Sequence, residues 1–212
     1  MIDGPREGPL SGTTRSLVIL LHGYGSNGDD LIALAPLWAP ALPDTAFVAP
    51  NAAEICPGAP EGYQWWGISS LDRGARAAGA ARAAPTLDHF IDAELARHGL
   101  AEDRLVLVGF SQGTMMALQV GPRRHRAVAG IIGYSGMLAD EATLSGDGPK
   151  PPVLLIHGDA DPMIPITAFH QTRDALTAHG FAVETHVSRG LGHSIDGDGL
   201  RLGAAFLARV IA

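Results

Sequence analysis

The stretch "RLVLVGFSQGTMMALQV", residues 104–120, carries an apolar run that stops at Gly109-Phe110-Ser111-Gln112-Gly113 and resumes with a different period. Residues 105–108 are continuously apolar, as in a strand covered on both faces. Residues 114–120 show helical spacing instead. The five residues between have the G-x-S-x-G spacing, in which a serine sits on a sharp strand-to-helix turn and the flanking glycines let neighbouring chain come close. Two readings fit. The segment is either a glycine-rich connector whose serine caps the helix, or a mount for a reactive serine at which the helix N-terminus points. Both require strand, turn and helix in that order.

The same alternation extends in both directions. Further apolar runs occur at residues 17–21, 46–49, 128–132 and 153–156, with a partly alternating run at 183–187. Between them, residues 30–38, 80–98, 166–179 and 199–211 repeat apolar positions at helical spacing. This order predicts a doubly wound α/β domain, a three-layer sandwich with helices on both faces of a mainly parallel central sheet. Gly121-Pro122 and Gly180 stand where helices should stop, and Asp196 where the last should start. Residues 51–76 show no clear period, and a loop that long in a compact domain is more often functional than idle. No internal repeat or charge block divides the chain. It reads as a single domain, 1–212, in which residues 1–16 form a flexible or loosely packed N-terminal segment.

Composition narrows the function classes. With 46% hydrophobic and 17% charged residues, the chain has the make-up of a folded globular domain rather than of a disordered one. Its 212 residues suffice for a core of its own. The net charge is −7, and the largest basic cluster is Arg123-Arg124-His125-Arg126, which argues against a nucleic-acid partner. A lone cysteine, Cys56, rules out an intrachain disulfide and suits a reducing, cytoplasmic location. Residues 1–16 lack the basic and apolar regions of a signal peptide. No run approaches the roughly 18–20 apolar residues of a bilayer span, so no stable membrane insertion is expected.

In open α/β sheets the ligand site lies beyond the carboxyl ends of the strands. Four predicted strand exits carry polar residues among glycines: His22-Gly23-Tyr24-Gly25, Gly109 to Gly113, His157-Gly158-Asp159-Ala160-Asp161, and Gly190-Leu191-Gly192-His193. A serine hydroxyl needs a base, and the base an orienting carboxylate. After a G-x-S-x-G serine the chain order is acid, then histidine. Asp159 and Asp161 are the candidate acids. Asp161 is preferred because Pro162 holds it extended, whereas Asp159 suits a turn bonded to nearby backbone. His193, on a glycine-flanked loop, is the candidate base. Of the other histidines, His157 reads as a satisfied, half-buried residue at a strand end.

An acyl-transfer site also needs donors for the developing oxyanion, usually the N–H after the nucleophile and one from the first strand–helix loop. These are the backbone amides of Gln112 and Tyr24. No metal is expected, since with one cysteine and no H-E-x-x-H the zinc patterns are missing. Residues 23–28 have G-x-G-x-x-G spacing, but no acidic residue ends a second strand about 20 residues later, so no dinucleotide cofactor is expected. The cofactor expectation is none.

With these residues in place, the chain resembles the carboxylesterase, lysophospholipase and acyl-protein thioesterase family of small α/β-hydrolases. The stretches that carry the resemblance are "LLHGYGSNGDDL", "GFSQGTMMAL", "HGDADPMIP" and "GLGHSI". It implies an α/β-hydrolase fold without a large cap domain, and a serine carboxylesterase acting on short- to medium-chain acyl esters. It also implies Ser111 as nucleophile, Asp161 as orienting acid, His193 as base, and Tyr24 and Gln112 as oxyanion-hole amides. The same family includes thioesterases and lysophospholipases; a different class is a non-catalytic binding protein on the same scaffold. Where the family commonly has Trp, an aromatic residue and Asp, this chain reads Trp65-Trp66-Gly67. Trp65, Trp66, Ile68, Met137, Met163 and Leu191 are the candidates for lining an acyl pocket. The implied partner is a small-molecule acyl ester, the implied assembly a monomer or homodimer. An exposed loop around Trp65 and Trp66 would suit a second copy or a lipid surface.

Overall fold

A computed structural model describes residues 2–68, 72–144 and 146–211. In chain order the elements are β1 (Arg6–Glu7), β2 (Ser16–Leu21), α1 (Gly28–Ile32), α2 (Ala35–Trp38), β3 (Thr45–Val48), β4 (Glu54–Ile55), β5 (Tyr63–Gln64), α3 (Arg73–His98), β6 (Leu105–Phe110), α4 (Gln112–Val120), β7 (Gly130–Tyr134), β8 (Val153–Gly158), α5 (Ile166–Ala178), β9 (Val183–Ser188) and α6 (Gly197–Ile211). Seven strands form one sheet in the order β1-β3-β2-β6-β7-β8-β9. All neighbours are parallel except β1, which runs antiparallel to β3 at the edge.

Side-chain alternation along the strands separates two cores. On β2, Leu17, Ile19 and Leu21 face Leu87 and Phe90 of α3, Met116 of α4 and Phe169 of α5. Val18 and Leu20 join the opposite layer with Leu31 of α1, Trp38 of α2, and Phe206 and Leu207 of α6. Every residue of β2 is buried, which is why the strand reads as an unbroken apolar run rather than an alternating one.

Four features depart from expectation. The helical spacing over 30–38 is divided into α1 and α2, the second helix starting after Leu34 with no side-chain cap and with proline in its first turn. Residues 51–76 hold the two-stranded β4–β5 ribbon and the start of α3. The N-terminal segment is not loose over its first part. Arg6 pairs with Val48, the Asp3 and Pro5 carbonyls accept from Asn51 and Ala49, and Ile2 is buried. Arg6 also binds buried Glu94 on α3 at 2.7 Å, tying the edge strand to a helix. Lastly, Trp65 and Trp66 are each 4% exposed, so these two rings are core rather than surface offered to a partner. A Cβ on Gly79 would lie 2.3 Å from the Trp66 ring, and only its lack lets α3 close over that side chain.

Candidate active site

Ser111 occupies the turn from β6 into α4 with φ 55° and ψ −115°, a strained conformation for a residue with a side chain. The glycines on either side are sterically required. A Cβ on Gly109 would fall 2.3 Å from the Gly113 carbonyl carbon, and one on Gly113 would fall 1.9 Å from the Leu21 carbonyl oxygen. The turn is held from below, where Ser111 N–H donates to the Tyr134 carbonyl at 2.9 Å. Thr114 Oγ1 lies 2.8 Å from the Gly109 carbonyl and 2.9 Å from that of Tyr134.

Asp161 follows β8, and its side chain is fully buried. Its Oδ1 accepts the N–H groups of Met163 at 2.8 Å and Ile164 at 3.0 Å; its Oδ2 lies 2.7 Å from His193 Nδ1. Burial alone would raise this carboxyl. The Ile164 amide, His193 and the Met163 amide outweigh it and hold Asp161 below the usual carboxylate value. With a carboxylate on Nδ1, that nitrogen carries the proton in the neutral ring and Nε2 is left unprotonated. Phe110 packs against the imidazole with ring centres 5.0 Å apart.

Asp159 is exposed and accepts Gly190 N–H at 2.6 Å, bracing the loop that carries His193. The backbone it bonds is near in space but 31 residues distant in sequence. His157 is fully buried rather than half-buried. Its Nε2 lies 2.8 Å from the Ile164 carbonyl and 3.5 Å from Asp161 Oδ2, while Nδ1 has no hydrogen-bond partner among the described residues.

The first strand–helix loop passes directly over the serine, because a Cβ on Gly23 would lie 3.2 Å from Ser111 Cβ. The β4–β5 ribbon supports this loop: Gly25 N–H donates to the Tyr63 carbonyl, and Tyr63 N–H to that of Ser26. Gln112 opens α4, where its N–H has no intrahelical acceptor. Its side chain is also engaged, accepting from Trp65 N–H and donating to the Trp66 carbonyl, both at 2.9 Å. Sequence reasoning missed that role, for a lone glutamine beside a serine carries no spacing signal.

Ser111, Gln112, His193 and Tyr24 share a cavity of about 510 Å³ with Ile68, Met137 and Met163. Met115, Ile164 and Pro165 complete the wall; none was anticipated, although Met115 and Ile164 stand four and three residues after Ser111 and Asp161. Three anticipated residues are absent from it. Trp65 and Trp66 pack in the core, and Leu191 uses its carbonyl to accept Ala160 N–H. The tryptophans fail as wall residues because their rings are buried elsewhere, that of Trp65 stacked on His22 and that of Trp66 against Gly79 of α3. Among the described residues no cluster of His, Cys, Asp and Glu could hold a metal ion, and no helix is long and apolar enough to cross a membrane. Hydroxyl, imidazole, buried carboxylate and oriented amides around an apolar cavity form a set capable of nucleophilic acyl transfer.

The mainly parallel seven-stranded sheet, wrapped by helices and without a cap, is the α/β-hydrolase fold. The chain belongs to the phospholipase/carboxylesterase family, which it matches over residues 10–211, and is a hydrolase of that carboxylesterase family. The crystal structure of esterase PE8 superposes with a TM-score of 0.94 at 44% identity, covering 99% of each chain. Acyl-protein thioesterase 1 of Neurospora crassa is 31% identical over 84% of this chain and 79% of its own. Esterase YpfH of Escherichia coli K12 is 28% identical over 86% of this chain and 77% of its own.

Proposed function

We propose that the chain is a cofactor-independent serine carboxylesterase for short- to medium-chain acyl esters. The 2.7 Å contact between His193 and buried Asp161, on the cavity that Ser111 also lines, carries this reading. His193 Nε2 takes the proton of Ser111 as Oγ adds to the ester carbonyl. The amides of Tyr24 and Gln112 stabilise the oxyanion. The proton then passes to the departing alcohol, leaving an acyl-enzyme. Water, deprotonated by the same nitrogen, releases the acid and restores Ser111. Asp161 keeps the imidazole in the required tautomer and stabilises its charged form.

An apolar cavity of about 510 Å³ lies within the about 300–1,000 Å³ typical of small-molecule sites and accepts an acyl chain. A second reading, acyl-protein thioesterase or lysophospholipase, is favoured by the name of the Neurospora crassa relative. Single, buried Cys56 supports a reducing cytoplasmic setting.

Treatment with a fluorophosphonate followed by peptide mass spectrometry should locate the adduct on Ser111. Ser111→Ala should lower kcat for p-nitrophenyl butyrate by about 10⁴-fold or more. An adduct elsewhere, or unchanged turnover, removes the assignment of Ser111 as nucleophile; no adduct and no ester turnover in the parent leaves a binding protein on the same scaffold. Comparison of kcat/KM for short esters, long-chain thioesters and lysophospholipids separates the two readings.

A further inference from the structure

His22 is fully buried at the exit of β2, has no place in the proton transfers above, and makes hydrogen bonds through both ring nitrogens. Ala52 N–H donates to its Nε2 at 3.0 Å. A nitrogen that accepts an N–H bears no proton, so in the neutral ring the proton is on Nδ1. That Nδ1–H points at the Gly23 carbonyl, 2.7 Å away. The ring is clamped as well: it stacks on Trp65 with centres 5.6 Å apart and planes at 27°, while Trp65 Nε1–H donates to the carbonyl of His22 itself.

The Gly23 carbonyl and the Tyr24 N–H belong to one peptide unit, which is planar and trans, so the two point in opposite directions. Fixing the oxygen fixes the N–H. A glycine before this peptide would otherwise let it rotate cheaply, and a rotated peptide would turn a carbonyl toward the place where negative charge develops. We infer that His22 is a positioning residue for the oxyanion hole: its Nδ1–H holds the Gly23 carbonyl so that the Tyr24 amide faces the carbonyl oxygen of the substrate. Ser26 N–H, 3.2 Å from the same carbonyl, gives a second, longer anchor on that side. The role rests on the reading of Ser111 as nucleophile and of Tyr24 N–H as oxyanion donor.

Asparagine and glutamine divide the two ring nitrogens between them. The side-chain amide of His22→Asn can put an N–H near the place of Nδ1 and still donate to Gly23, but cannot reach Ala52. His22→Gln can put its amide oxygen near Nε2 and accept from Ala52, leaving Gly23 unheld. The full-length enzyme and both variants are compared for kcat and KM with p-nitrophenyl butyrate, for inhibition by butane-1-boronic acid, which mimics the tetrahedral adduct, and for Tm. Positioning predicts that His22→Gln loses about tenfold or more in kcat, with KM little changed and boronate affinity reduced by a like factor. His22→Asn should stay within about threefold of the parent. Equal losses in the two variants, or a glutamine variant at least as active as the asparagine one, overturn the proposal. Should neither fold, the imidazole nitrogen resonances of ¹⁵N-histidine-labelled wild type decide: protonated Nδ1 supports the role, protonated Nε2 ends it. Failure of the wild type to bind boronate, or to be labelled at Ser111, strikes the underlying mechanism instead and is seen before any variant is made.

Discussion

Among the described residues buried Asp161 has no arginine or lysine partner, and three N–H donors keep it charged: two backbone amides on Oδ1 and an imidazole on Oδ2. An amide in its place keeps the shape but presents either a weaker acceptor or an N–H to His193, favouring the wrong tautomer. Asp161→Asn should therefore lower kcat by about 10⁴-fold with little change in the far-UV circular dichroism spectrum. Asp159→Asn is the control. Its remaining oxygen still accepts Gly190 N–H, so kcat should fall by less than about tenfold. A reversed ranking would move the orienting role to Asp159.

Among the elements, α4 does more than point its N-terminus at the serine. Through Gln112 it also holds the chain at Trp65 and Trp66, and the β5 end of that segment braces the loop over Ser111. Gln112→Leu would leave a buried N–H and a buried carbonyl without partners, at about 1–3 kcal/mol for each. Thermal unfolding should register this as a fall in Tm of roughly 5 °C or more. The elements that were legible in sequence and those that were not differ in what stabilises them. β2, β6 and β8 are covered on both faces, so their burial is written as continuous apolar runs. β1 is two exposed residues whose pairing is mostly backbone, and nothing in Arg6-Glu7 announces it. Trp66 reads as loop surface because the helix that covers it depends on Gly79, a distant residue whose only signal is a missing side chain, and Trp65 because its cover is the ring of His22. In the site, Ser111, Asp161 and His193 could be picked out because each follows a strand within a glycine-bearing loop. The bracing side chains of Gln112 and His22 were not, since their bonds go to backbone, which carries no sequence signature.

For the molecule as a whole, acid should act through the groups that folding depresses. Burial pushes His22 down; the Gly23 bond only partly offsets this. Unfolded chains therefore take up a proton near the free histidine value of about 6.5 while the native ring stays neutral, and native stability falls as pH drops below that point until the folded value is passed. Asp161 is also depressed, so its contribution is complete above about pH 4 and lost as pH falls toward its folded value. Urea unfolding between pH 7.5 and 4.5 should show the denaturation midpoint falling in the parent, and less so in His22→Asn. Equal slopes would locate the acid sensitivity elsewhere. The sheet order carries a final consequence. β2, which delivers the loop over the serine, pairs directly with β6, which delivers the serine; the acid and the histidine arrive from β8 and β9 on the far side of β7. No contiguous half of the chain contains all these parts. With the proposed roles, turnover is an all-or-none reporter of assembly: a partly folded species that keeps one side of the sheet has a nucleophile and its anion cradle without a base, or an acid and a base without a nucleophile.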